Sequence, residues 1–184
     1  MTRHPIPSEL RPENIVALID SREWSCHQDD PDYVPLDLSP LKWRKVTLPT
    51  ADYSVAGLED VLAIERKTLQ DFLKCVGAER ERFDAVVLRM QAYRHRCIVI
   101  EATPDEIEAG NWRGEITPAQ AAGSIRRWRL DGVPVVLCGD HAETGKEVAR
   151  MLFLAARDEW RRLRRLLAVL DEPKLEEKDN AGST

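Results

Sequence analysis

The sequence predicts an α/β fold in which a mixed central sheet is flanked by helices on both faces and a long helix closes the chain. Three observations carry that prediction. Uninterrupted apolar runs at 15–19, 97–100 and 133–138 have the pattern of strands buried on both faces. Between the later runs, apolar residues recur at helical spacing and Thr-Pro pairs mark helix starts. The segment from 49 to 67 instead sets turn residues between short strand-like stretches, so a hairpin-rich first half precedes strands separated by helices.

The first strand, Ile15-Val16-Ala17-Leu18-Ile19, runs into Asp20-Ser21-Arg22-Glu23. From 24 to 40 the chain is polar and proline-punctuated and reads as a loop. Pro49-Thr50 is a turn signal, followed by the strand Ala51-Asp52-Tyr53-Ser54-Val55 and its hairpin partner ending in Ala63-Ile64-Glu65-Arg66-Lys67. Leu69, Phe72, Leu73 and Val76 then recur at i, i+3, i+4 and i+7, a helix face closed by Gly77. A second helix presents Phe83, Val86, Val87, Met90 and Tyr93, with Arg80 and Arg82 near its start. After the strand at 97–100, Thr103-Pro104 supplies a cap and a first helical residue. Thr117-Pro118 repeats the signal for a helix through Ala121, Ala122, Ile125 and Trp128, stopped at Asp131-Gly132. Beyond Gly139 one helix spans 142 to 170, and in its later half Trp160, Leu163, Leu167 and Leu170 form an apolar stripe among arginines. That stripe either meets a second copy or partner subunit, or packs on the domain's own sheet.

Charged residues gather where these strands end. Alternation along a strand puts Glu65 and Lys67 on one face, and the hairpin brings Asp52 to an adjacent strand. A hard divalent cation needs carboxylate oxygens, and a water attacking a phosphodiester needs positive charge nearby. A Glu-Arg-Lys tripeptide alone is commonly a solvated edge. Three charged strand ends, Asp20 included, read together as a metal-dependent phosphodiesterase site.

These motifs resemble those of the XPF-type structure-specific endonucleases, a family that includes the archaeal Hef nuclease domain. The family pattern is Asp-x-Arg-Glu after the first strand, then Gly-Asp-Tyr, then Glu-Arg-Lys with an Asp four residues on. Here it reads Asp20-Ser21-Arg22-Glu23, Ala51-Asp52-Tyr53 and Glu65-Arg66-Lys67-Thr68-Leu69-Gln70-Asp71, and the likeness spans 14 to 160. It implies a restriction-endonuclease-like fold of the PD-(D/E)xK type. It further implies that Asp52 and Glu65 hold Mg²⁺ or Mn²⁺, that Asp20 joins them or supports the metal's waters, and that Lys67 works on the attacking water. Arg22, Glu23, Arg66 and Asp71 match supporting positions. The implied activity is hydrolysis of DNA at forks, flaps or junctions in repair or recombination; the rival reading is an inactive DNA-binding or scaffolding subunit. Two departures stand out. The 24–40 loop replaces a helix common in relatives, and Ala51 replaces the glycine, so that Asp52 is expected to keep its place only if Ala51 avoids positive φ.

Composition fits a single domain over 14–170 with an N-terminal extension at 1–13 and a disordered acidic tail at 171–184. No apolar run is long enough to span a bilayer and no signal-peptide core precedes the domain, so a cytoplasmic protein is expected, with no membrane and no nucleotide-binding motif. Cysteines at 26, 75, 97 and 138 lack Cys-x-x-Cys spacing and read as free thiols, and Cys26-His27 with His141 lacks a fourth zinc ligand. The net charge of −5 sits awkwardly with a polyanionic substrate, but the span 126–165 holds ten basic residues against six acids. Arg80, Arg82, Arg126, Arg127 and Arg129 are therefore candidates for DNA contact, and members of the family commonly pair, which favours a dimer through the last helix.

Overall fold

The computed structural model describes residues 8–25 and 35–171. The Cys26-His27 pair, residues 26–34 of the predicted loop, residues 1–7 and residues 172–184 lie outside them. A six-stranded sheet runs in the order β2-β1-β3-β4-β5-β6, with β1 Val16–Asp20, β2 Lys42–Val46, β3 Tyr53–Val55, β4 Leu62–Thr68, β5 His95–Glu101 and β6 Val135–Leu137. Strand β1 pairs parallel with β2 and antiparallel with β3, β3 pairs antiparallel with β4, and β4, β5 and β6 run parallel. The mixed sheet is the predicted one. Helices are α1 Ser21–Ser25, α2 Leu69–Val76, α3 Arg80–Met90, α4 Pro104–Ala109, α5 Pro118–Leu130 and α6 His141–Asp171.

Both faces are covered. On one, the first half of α6 lays Val148, Leu152, Ala155 and Ala156 against Ile19, Tyr53, Ile64 and Val99, with Leu36, Leu38 and Leu41 at the rim. On the other, α2, α3 and α5 bury Phe72, Phe83, Met90 and Trp128 over Ile98 and Ile100. Trp128 stands edge-on to both Phe72 and Phe83, at 5.9 and 4.8 Å between ring centroids. The Thr-Pro signals become full capping boxes, Thr103 with Glu106 and Thr117 with Gln120, which satisfy amides that a helix start leaves open.

Four elements depart from the sequence reading, the first being helix α1, whose last two residues fall in the segment read as a loop. Strand β2 was not foreseen, because Lys42, Trp43, Arg44 and Lys45 are all exposed on an edge and show no apolar alternation. Helix α3 stops at Met90, so Tyr93 lies beyond it and packs with Ala51 and Ala63. The apolar stripe of α6 does not simply settle on the sheet: Trp160 and Leu163 line a groove with Leu10 and Ile15, but Leu163 is 50% and Leu170 74% exposed. Among the described residues no helix is long and apolar enough to cross a membrane.

Gly145 shows how α6 admits the chain leading into β2. A Cβ there would stand 2.7 Å from the Asp37 carbonyl oxygen, a backbone atom that cannot swing aside. Gly145→Ala is therefore expected to destabilise the protein although alanine favours a helix by roughly 1 kcal/mol; chemical denaturation checks the sign, and a gain in stability would contradict the packing described.

Candidate active site

The site is built by strand register. Tyr53 pairs with Ile64 across the β3–β4 hairpin, so Asp52 falls level with Glu65 and shares its face of the sheet, while Lys67 stands two residues along on that same face. Two backbone bonds fix the entry to β3: the Asp52 amide donates to the Ile64 carbonyl at 3.0 Å, and the Asp20 amide donates to the Asp52 carbonyl at 2.8 Å. The Arg66 amide donates to Asp52 Oδ2 at 2.8 Å. Asp52, Glu65 and Lys67 line a cleft of about 310 Å³ with Arg22, Glu23, Pro49, Thr50, Ala51, Arg82, Val86 and Arg89.

Ala51 overturns the expectation attached to it. Its φ is +65°, the conformation that the family's glycine suits, yet Asp52 keeps both backbone bonds. A left-handed alanine costs about 1–2 kcal/mol, which the hairpin bonds and the packing of Ala51 against Ala63 and Tyr93 offset.

The surrounding charges form two braces. Asp20, almost fully buried, spends both oxygens beside the cleft: Oδ1 accepts from the Arg22 amide at 2.7 Å and from Arg22 Nε at 2.8 Å, and Oδ2 accepts from the Leu48 amide at 2.6 Å and Arg22 Nη2 at 3.2 Å. Arg22 in turn donates to the Leu48 carbonyl at 2.8 Å, tying the end of β1 to the loop that lines the cleft. The second brace is centred on Arg66, whose guanidinium points to the opposite face and is buried between Glu23 Oε1 at 2.7 Å and Glu101 Oε1 at 2.9 Å. His141 Nδ1 lies 3.0 Å from the same Glu101 oxygen, and the Tyr53 hydroxyl donates to Glu23 at 3.4 Å.

Electrostatics set the protonation states. Burial first, then the facing Glu65 carboxylate, push the Asp52 carboxyl well above its ordinary 3.8, and Lys67 only partly opposes them. Burial works against the Lys67 ammonium, but Glu65 and Asp52 overcome it and raise its pKa above 10.5. Lys67 Nζ donates to Glu65 Oε1 at 2.5 Å. Both carboxylates thus favour the charged ammonium over the free amine. Burial alone would raise the Asp20 carboxyl, and the hydrogen bonds from Arg22 and Leu48 hold it below its ordinary value.

Other candidates sit further out. Asp71 lies in the first turn of α2, where Thr68 is the N-cap, and its carboxylate accepts from Thr68 Oγ1 and from Lys74 Nζ, each at 2.8 Å. Arg82 reaches the cleft while paired with Glu79. Arg80 is held by Asp84 and Ser124, Arg127 by Asp131 and Arg129 by the Val135 carbonyl, and Arg126 lines a separate groove beside α4. Sequence reasoning gives no role to Glu101 or Arg89 and meets His141 only as part of an incomplete zinc set. Glu101 ends an apolar strand as Asp20 does, a signal that was available; Arg89 follows Arg82 by seven residues, two helical turns.

The donor set suits a hard divalent cation. No hydrogen bond among the described residues engages Asp52 Oδ1, and a second carboxylate faces it. Among the described residues no group of three His, Cys, Asp or Glu side chains converges as a ready ligand cluster. That is compatible with a Mg²⁺-like ion, which keeps several waters and takes only one or two carboxylates from protein.

Between the ordinary carboxylate range and the raised value of Asp52, the native protein keeps a proton that the unfolded chain has released. Metal-free stability should therefore fall as pH rises through that window, and Asp52→Asn should remove this part of the fall. Urea titrations at stepped pH without metal measure it; identical pH profiles for the two proteins would refute the assignment.

No curated protein matches this sequence significantly. Nineteen chains of solved structures match, among them XPF from Aeropyrum pernix, with a TM-score of 0.59 and 21% identity, covering 84% of this chain and 72% of that one. At that identity the match establishes the restriction-endonuclease-like fold. The family model described as "ERCC4 domain" matches residues 19–151, a stretch holding both charge braces, the cleft and every strand but the first residues of β1, and this chain belongs to the ERCC4 domain family of XPF-type nucleases.

Proposed function

We propose that this protein is a metal-dependent endonuclease that hydrolyses DNA phosphodiester bonds at branched or distorted sites, in repair or recombination. The observation that carries the reading is the β3–β4 register, which sets Asp52 level with Glu65 beside the Lys67 ammonium.

Asp52 and Glu65 would hold Mg²⁺ or Mn²⁺, which when bound supplies positive charge at the scissile phosphate and a more acidic water. Lys67 orients that water and steadies the negative charge developing on the phosphoryl oxygens, a role that needs an ammonium and not a free amine. The Arg66 backbone amide keeps Asp52 in one rotamer, and its side chain, locked between Glu23 and Glu101, keeps the end of β4 from shifting. Asp20 supports the metal or its waters from beside the cleft while holding Arg22, whose guanidinium is placed to meet a phosphate at the rim. Asp71 keeps α2 seated next to Lys67. The exposed apolar end of α6 favours a homodimer or a partner subunit.

The test is Mg²⁺-dependent nicking of flap, fork and plain duplex DNA by the wild type and by Asp52→Ala, Glu65→Ala and Lys67→Ala. Each variant should lose about a hundredfold or more in rate at a temperature where circular dichroism shows it still folded. Wild-type rates in all three would end the proposal, and DNA binding without cleavage at any metal concentration would establish a scaffold instead.

A further inference from the structure

The edge strand β2 carries a group of cations that the cleft does not account for. From Pro40 to Thr50 the chain has no acid, and Lys42, Trp43, Arg44 and Lys45 follow one another on an exposed edge. Lys42 and Arg44 make no ion pair with any described residue, in contrast to Arg22, Arg66 and Lys67 at the cleft. Register shows where they lie. Arg44 pairs with Leu18, Leu18 pairs with Ser54, and Ser54 shares its strand face with Asp52, so Lys42 and Arg44 occupy the sheet face that carries Asp52 and Glu65. Trp43, 49% exposed, falls on the opposite face by the same alternation. The strand leads straight to the site: after Val46 come Thr47 and Leu48, which bind Ser21 and the Asp20–Arg22 brace, and then Pro49 and Thr50 in the cleft wall.

We infer that β2 is the seat of a single-stranded DNA arm adjoining the cut site, with Lys42 and Arg44 holding its phosphates and Trp43 stacking on an unpaired base turned over the sheet edge. This rests on the nuclease reading above and adds to it the kind of arm engaged. The five residues from Arg44 to Pro49 can reach at most about 18 Å, so Arg44 lies within a few nucleotides of the cleft wall. The partition of charge and aromatic surface decides between single strand and duplex. A single strand can present phosphates to one face of the edge and a base to the other, whereas a duplex keeps its bases paired inside. Cations alongside an exposed aromatic ring are the combination by which proteins bind single strands without reading sequence. Arg89, on the cleft rim and likewise unpaired among the described residues, continues the positive surface on the α3 side.

The experiment measures binding of the full chain, without divalent metal, to an oligothymidine of about twelve nucleotides and to a duplex of the same length. The proteins are the wild type, Lys42→Gln/Arg44→Gln, Trp43→Ala and Trp43→Phe, each checked for unchanged thermal unfolding. The double variant should lower the slope of log affinity against log salt by about 1.4, two phosphate contacts at ~0.7 each on single-stranded DNA. Trp43→Ala should weaken single-strand binding by roughly 5- to 100-fold, and Trp43→Phe should restore most of it, because stacking needs a ring and not an indole. Wild-type affinity and slope in these variants, from a protein that cleaves DNA, would overturn the arm assignment and leave the nuclease reading intact. Equal losses on duplex and single strand with no effect of Trp43 would overturn the choice of a single strand. A wild type that neither binds nor cuts DNA would sink the nuclease reading and this inference with it.

Discussion

The β3–β4 register is the constraint on which the rest depends. Pairing Tyr53 with Ile64 brings two carboxylates level on adjacent strands, an arrangement that repulsion disfavours unless positive charge is at hand. Lys67 supplies that charge from the same face, and the Arg66 amide takes one Asp52 oxygen. One dipeptide of β4 therefore serves both sides of the sheet: the lysine faces the cleft and the arginine side chain anchors the strand from behind. A one-residue slip would exchange these faces, removing the amine from the carboxylates and exposing Arg66's buried partners.

The Arg66 brace explains why the site can be stiff without metal. A buried guanidinium is costly unless each side of it is matched, and here Glu23 comes from α1, Glu101 from the end of β5 and His141 from the start of α6. Elements distant in the chain are thus joined at one charge. Breaking such a pair from one side typically costs about 3–5 kcal/mol, so the brace links the geometry of the cleft to the integrity of the sheet. Ala51 shows the same economy in the backbone: strain at one residue is accepted because hydrogen bonds on both flanks of Asp52 over-determine its place.

Much of this was legible in the sequence because the strongest signals are local. Apolar runs marked β1, β5 and β6, Thr-Pro pairs marked α4 and α5, and the alternation of Glu65 with Lys67 gave their common face. What escaped were features that local pattern does not encode. Strand β2 has no buried face to leave a period, and its partner in the sheet comes from more than twenty residues earlier. The contacts of Arg66 with Glu101 and His141 join residues 35 and 75 positions apart, a distance no spacing rule spans. Positive φ at Ala51 ran against the usual preference of a residue with a Cβ, since the flanking hairpin bonds outweigh a local penalty. The arginines of helix α5 stand out in the sequence by charge alone, and the fold gives Arg127 and Arg129 local partners while leaving Lys42 and Arg44 without an ion pair among the described residues.

The most direct trial of the central claim is anomalous diffraction from a crystal of the wild-type protein soaked in Mn²⁺. The account predicts a manganese peak within coordination distance, about 2.2 Å, of one oxygen each from Asp52 and Glu65, with waters filling the remaining positions. A well-ordered crystal with no peak in the cleft, or with manganese bound only at acids elsewhere, would contradict it.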